Sequence, residues 1–257
     1  MNTTEESILH SLDGKDASLF SYLDYLLQDL WELGSSPAEI ISLIRQHIKT
    51  NDSTRVLDLG CGKGAVSVKI AKEFNVRCIG IDALPAFVKY ATAKAKEYHV
   101  DNLCEFINAD IRNVINDYSG YDLVVLGAIG SVLGNMEATL NQVKNCIREN
   151  GYLIIDDAYV IDDTSPYAGT YLNYEGTISI LKKQSFEIIQ ECRPDNTAQK
   201  TIDESMFRSI ERRAEELIKL HPEKRKIFED YIKTQQEEFD ILENKVQCAT
   251  WLLKRIK

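Results

Sequence analysis

The chain has 257 residues, of which 44% are hydrophobic and 27% charged, and its formal net charge is −10. That length and apolar content suffice for a large core in one globular unit with appendages, whereas the acidic balance argues against a broad nucleic-acid footprint, which needs a basic face. No apolar run reaches the length of a membrane span. Six scattered cysteines form no C-x-x-C pair and no leader precedes them, which reads as reduced thiols in a cytoplasmic protein. Four histidines lack ligand spacing, so no metal site is expected.

In chain order, the first strong signal is a wide apolar stripe from Leu19 to Trp31, ended by Gly34 and read as helical. Tyr22 and Tyr25 add hydroxyls that pure packing does not require, which makes them candidates for touching a small-molecule substrate. Pro37 opens a second helix through His47, with Ile40, Ile41, Leu43 and Ile44 on its buried side. Residues 1–50 therefore read as an N-terminal helical cap.

Thr54 to Leu59 follows as a short buried strand, and VLDLGCGKG then places Gly60, Gly62 and Gly64 directly before a helical pattern from Ala65 to Phe74. Glycines at such a turn permit a ligand to lie against the main chain at a helix N-terminus. A second strand ends at Asp82, about 20 residues on, where an acid can accept bonds from ribose hydroxyls. A third, Cys104 to Ile107, ends just before Asp110. Acids thus stand at the carboxyl edge of three successive strands: Asp58, Asp82 and Asp110. Such a crowd repels a pyrophosphate and attracts a ligand that carries an ammonium and a sulfonium.

Tyr121 to Leu126 reads as the fourth strand, Met136 to Ile147 as a helix and Tyr152 to Ile155 as the fifth strand, which runs out into IIDDAYV. Asp156 and Asp157 there are adjacent acids at the sheet edge, one of which can neutralise a cationic acceptor or remove its proton, with Asp157 the candidate base, and Tyr159 to Tyr174 is an aromatic loop of the kind that walls a pocket. Ser185 to Glu191 and Val246 to Leu253 read as the last two strands, separated by two amphipathic helices over 194–245 that suit either a lid or a dimer contact.

With VLDLGCGKG, GIDALP, NADI and YDLVVLGAIG in this order, the stretch from Thr54 to Cys192 resembles the class I S-adenosylmethionine-dependent methyltransferases. The resemblance implies a Rossmann-like open α/β sheet of seven strands, the last antiparallel, with N-terminal helices and a helical insertion between strands six and seven. The core would be residues 51–193 with 246–257 as its final strand. It implies S-adenosylmethionine as cofactor, with Gly60, Cys61, Gly62 and Gly64 along its methionine part and Asp58 on its amino group. Asp82 would take the ribose, Ala83 and Leu84 the adenine face, Asp110 and Ile111 the adenine edge, and Gly127 would border the transferring methyl. The acceptor would be a small molecule near Tyr22, Tyr25, Gly130, Asp157, Tyr159 and Tyr171, on a monomer or homodimer that engages neither nucleic acid nor membrane. A nicotinamide-dependent oxidoreductase and a non-catalytic nucleotide-binding protein stand as alternatives.

Overall fold

Runs of four to six aliphatic residues flanked by turn signals are too short for helices, and buried on both faces they become the central strands of a sheet. The computed structural model describes residues 3–162, 164–194 and 196–256. Its strands are β1 (Arg55–Leu59), β2 (Arg77–Asp82), β3 (Cys104–Asn108), β4 (Tyr121–Leu126), β5 (Ile147–Val160), β6 (Phe186–Cys192) and β7 (Val246–Arg255). They form one seven-stranded sheet in the order β3-β2-β1-β4-β5-β7-β6. The first five pair in parallel, and β7 lies antiparallel between β5 and β6. This is the Rossmann-like sheet expected from the sequence. The strand order reverses between β1 and β4, and there a crevice opens beyond the carboxyl ends of the strands.

The helices are α1 (Thr3–Ser11), α2 (Leu23–Leu26), α3 (Pro37–His47), α4 (Ala65–Phe74), α5 (Pro85–Glu97), α6 (Ile111–Val114), α7 (Met136–Val143), α8 (Tyr174–Lys183), α9 (Asn196–Leu220) and α10 (Arg225–Asn244). Alternate residues of each strand serve opposite faces. Leu57, Leu59, Val124, Leu126, Leu153 and Trp251 pack with Leu140 and Val143 of α7 and Leu181 of α8. Val56, Leu123, Val125, Ile154 and Leu252 pack with α3, α4 and α5 through Ile40, Ile44, Val68, Ala71 and Ala95.

Four features differ from the sequence reading. The stretch from Leu19 to Trp31 is not one helix: a 3₁₀ turn over Ala17–Tyr22 leads into the single turn of α2. The Leu27 carbonyl, which a continuing helix would use, instead accepts from Leu30 N–H and from the Lys63 ammonium. Helix α1 was not anticipated. Helix α7 stops at Val143, and a 3₁₀ turn over Lys144–Cys146 delivers Ile147 into β5. Finally, β5 runs on to Val160 because β7 pairs with it from Tyr152 to Val160, so Asp156 and Asp157 lie inside a strand and not in a loop.

The inserted helices α9 and α10 pack on the N-terminal segment. Ile210, Ala214, Leu217, Phe228 and Tyr231 share one buried cluster with Ile8, Leu19, Leu23, Leu26 and Leu30. Polar contacts seal its rim: Arg213 forks onto both oxygens of Asp29 at 2.6 and 2.7 Å, and Gln235 donates to Asp13 at 3.0 Å.

Candidate active site

Beyond Leu59 the chain turns sharply, and the N–H groups of Gly60 and Cys61 both donate to the Ile81 carbonyl, which ties the turn to the end of β2. Gly62 has φ +53° and Gly64 φ +74°, values closed to most side chains. The Gly62 N–H donates to one oxygen of Asp82 at 2.9 Å and the Leu84 N–H to the other at 2.9 Å. Asp82 therefore braces the glycine turn as well as facing the crevice.

Asp58, Gly60, Cys61, Gly62, Asp82, Ala83, Leu84, Asp110, Ile111 and Gly127 line a single cavity. Of the cofactor residues expected from the resemblance, only Gly64 lies outside its wall. A Cβ at Gly64 would stand 2.7 Å from the Ala91 side chain and 2.8 Å from Phe106, so this glycine is required by helix packing underneath the turn.

The three acids differ electrostatically. Asp58 is buried and accepts from Ser67 Oγ at 2.6 Å; burial pushes its carboxyl up to about 6 despite that bond. Burial also raises Asp82, opposed by its two backbone donors. Asp110 moves the other way: the Arg112 guanidinium holds its carboxyl below the usual carboxylate range, and Thr4 Oγ1 adds a bond at 2.8 Å.

Several wall residues escaped the sequence reading. Helix α1 contributes Thr4, Ser7, Ile8 and Ser11, and the stretch before α3 contributes Trp31, Leu33 and Ser35. The pattern T-x-x-E at Thr3, followed by Ile8, Leu9 and Leu12, is the signal that marks α1. Lys63, inside the glycine turn, is 2% exposed. Its ammonium binds the Leu27 carbonyl and lies 4.9 Å from the Tyr90 ring; burial lowers its pKa to about 8. In return the Trp31 indole N–H donates to the Lys63 carbonyl at 3.0 Å.

The six residues expected to touch the acceptor are not brought together, and none lines this cavity. The Tyr22 hydroxyl accepts from Lys224 at 2.8 Å and the Tyr25 hydroxyl donates to Glu216 at 2.7 Å, so both serve the contact with the inserted helices. Tyr159 packs on Trp251 and Tyr174 beside a separate surface groove with Arg193. Tyr171 packs against Ala158, Val160 and Val246, and burial pushes its hydroxyl far up. Gly130 takes φ +56° on an open stretch clear of neighbours. Asp157 accepts from the Ala158 N–H at 2.7 Å, and strand alternation turns it away from the face that Asp156 uses. Among the described residues there is no group of histidine, cysteine and carboxylate side chains that could hold a metal, and no helix is long and apolar enough to cross a membrane.

A family model described as a methyltransferase domain matches residues 50–245. The chain belongs to that family. It is 29% identical over 116 residues to a carboxy-S-adenosyl-L-methionine synthase of Klebsiella pneumoniae, covering 43% of this chain and 46% of that enzyme. It is 28% identical over 130 residues to an uncharacterized RNA methyltransferase of Clostridium tetani, covering 46% and 28%. The chain thus spans less than half the length of these curated relatives. In fold it is similar to an S-adenosylmethionine-dependent methyltransferase of Thiobacillus denitrificans in complex with S-adenosylhomocysteine: the TM-score is 0.74 at 15% identity, over 90% of this chain and 96% of that one. A nicotinamide-dependent oxidoreductase finds no support in these similarities.

The family's cofactor is S-adenosylmethionine, and the cavity fits it. The positive φ of Gly62 keeps the wall free of a side chain where a ligand must approach the main chain. Asp58 is buried and Asp82 half-buried, and no basic side chain is among the groups acting on either, which suits an ammonium and a pair of ribose hydroxyls.

Proposed function

We propose that the protein transfers the methyl group of S-adenosylmethionine to a small-molecule acceptor by in-line displacement. The observation that carries this reading is the added wall of the crevice: α1 and the stretch from Leu33 to Ser35 join the glycine turn and the strand ends around one cavity, which makes it a partly enclosed cleft and not an open platform. Enclosure of this kind suits a small ligand stripped of water.

When bound, the cofactor supplies a methyl group already activated on a sulfonium. This chain's residues have the tasks of binding and orientation, which can supply much of the rate. Asp58 would hold the amino group and Asp82 the ribose. Ala83 and Leu84 would lie on the adenine face, Asp110 would border the adenine edge with Ile111, and Gly127 would leave room where acceptor and methyl meet. Residues 1–50 and 194–245 would act together as a cap on the core formed by 51–193 and 246–257.

Incubation of the protein with methyl-labelled cofactor and pooled metabolites, set beside a protein extract, tests this reading. Label is expected in low-molecular-weight products. Label confined to protein, or calorimetry that detects no binding of S-adenosylhomocysteine, would overturn it.

A further inference from the structure

The region beside Gly127 contains two buried polar atoms, Ser35 Oγ and Asp156 Oδ2, with no well-formed hydrogen bond to the rest of the fold. In the register of the sheet Leu126 of β4 lies beside Ile155 of β5, so Gly127 and Asp156 come next at the carboxyl edge. Above them passes the stretch before α3, which brings Ser35 into the cavity wall. Ser35 is 8% exposed. A Cβ at position 127 would stand 2.4 Å from its hydroxyl oxygen, so only glycine lets Ser35 sit this low.

Asp156 lies behind Ser35. One of its oxygens accepts from Thr250 Oγ1 at 2.5 Å, across the pairing of β5 with β7. Its other oxygen, Oδ2, is buried with no hydrogen-bond partner of good geometry, and the same is true of Ser35 Oγ. The hydroxyl is nevertheless near enough to favour the ionised carboxylate. With its O–H turned to Asp156, Ser35 Oγ keeps acceptor lone pairs for which the fold supplies no donor, a place that a ligand N–H would fill. The charge around the pair has one sign. Asp156 disfavours ionisation of both Asp58 and Glu39, and no basic side chain figures among the groups acting on these three acids. The cavity's own buried lysine, Lys63, responds instead to Asp24 and Asp29.

We propose that Ser35 and Asp156 form the acceptor subsite and select a small amine with an apolar body. The inference rests on the methyltransferase reading above and names the substrate class for it. Ser35 Oγ contacts the amine and accepts its N–H, while Asp156 is a positioning residue that accepts the Ser35 O–H and is itself held by Thr250. Ile129, Val132 and Leu33 supply the apolar wall beside it. A carboxylate here would stand near Asp58 and Asp156 with no basic side chain among the groups acting on either, and a neutral hydroxyl would leave their potential uncompensated.

The step balances. The acceptor R–NH₃⁺ passes one proton through Ser35 to Asp156. The freed nitrogen lone pair forms the N–C bond to the methyl carbon as the C–S bond breaks, with its electron pair going to sulfur. The products are R–NH₂⁺–CH₃ and the neutral thioether, and the proton leaves Asp156 for solvent.

The test measures binding to the protein saturated with S-adenosylhomocysteine, using butylamine and benzylamine against butanol, benzyl alcohol, butyrate and benzoate as probes. At least one amine is expected to bind about tenfold or more tighter than its alcohol, the value of one hydrogen bond to a charged group, with the acids weakest. Ser35→Ala and Asp156→Asn should each erase that preference for the amine while leaving affinity for S-adenosylhomocysteine within about threefold, which is within experimental noise for an untouched site. Selectivity is a readout that a merely structural lesion would not move, and Ser35→Ala, at the wall, keeps the test open if Asp156→Asn fails to fold. Alcohols bound as tightly as amines, no amine retained at millimolar concentration, or an unchanged preference in Ser35→Ala would each overturn the proposal. Loss of S-adenosylhomocysteine binding by the wild-type protein would instead overturn the methyltransferase reading.

Discussion

Buried beside the cavity with only Ser67 as a donor, Asp58 has its carboxyl raised to about 6 from an ordinary 3.8. A folded-state pKa above the unfolded one means that the native protein binds the extra proton between these two values, so this residue's contribution to stability falls as pH rises from about 3.8 to 6. The full difference is about 3 kcal/mol. An ammonium ligand needs the ionised form, so affinity for S-adenosylhomocysteine should weaken as pH falls through about 6, by up to tenfold per pH unit. Calorimetry from pH 5 to 7.5 reads this directly. Asp58→Asn should bind weakly at every pH and show a flat profile; a wild-type profile that is already flat would remove Asp58 from the amino group. The glycines separate in the same way. Gly64→Ala forces a side chain at φ +74° into Ala91 and Phe106 and should lower unfolding free energy by about 2–5 kcal/mol, strain and overpacking together. Gly62→Val meets only Leu33, at 3.4 Å, so its main effect should be on cofactor affinity, with a strain cost of about 1–2 kcal/mol. Urea unfolding and calorimetry on both variants check the contrast, and equal stability loss in the two would refute it. These positions were legible in the sequence because each stands at a fixed offset from a strand end. The partners of Tyr22 and Tyr25 were not, since Lys224 and Glu216 lie 202 and 191 positions away and no local pattern announces such a contact.

At the level of elements, strands and helices near the sheet were readable from period and length, whereas the N-terminal segment was not. The apolar stripe from Leu19 to Trp31 is wide because it is buried from two directions, by the core and by α9 with α10, and such a stripe does not require a continuous helix. Its turns are held by distant groups instead, notably the Lys63 ammonium on the Leu27 carbonyl. Packing against α9 and α10 is what supports the proposed single cap of the N-terminal segment and the inserted helices. Phe228 of α10 is fully buried among these N-terminal leucines. Phe228→Ala should cost about 3–5 kcal/mol and raise amide exchange from Leu19 to Leu30 along with that of α10. Loosening confined to α10 would show that the cap is two independent pieces. Helix α1 presents Thr4, Ser7 and Ser11 to the cavity, so S-adenosylhomocysteine should slow amide exchange over Thr3–Ser11. Equal exchange with and without the ligand would mean that α1 is a permanent wall that takes no part in closure.

Across the whole molecule, 40 acidic residues outweigh 30 basic ones, and those basic groups nearest the crevice are already committed. Arg112 is paired with Asp110 and Lys63 is buried against a carbonyl; away from the cavity wall, on α9, Arg213 is likewise paired with Asp29 and Glu216. A nucleic-acid methyltransferase gains most of its affinity by releasing counterions from several phosphates, which needs a free basic face around the site. A different expectation comes from the clostridial relative named as an RNA methyltransferase, which matches this chain over 130 residues. That similarity covers only 28% of the relative's length, and a shared fold does not carry its acceptor with it. Affinity for bulk tRNA should therefore stay weaker than about 10⁻⁴ M at physiological salt, the loose end of non-specific binding, and should change little as salt is lowered. Fluorescence anisotropy with labelled tRNA across a salt series measures both quantities, and methyl transfer to the same tRNA gives a second readout. Tight binding with a steep salt slope, accompanied by label in the tRNA, would show that a local basic path outweighs the net charge and that the acceptor is not a small molecule.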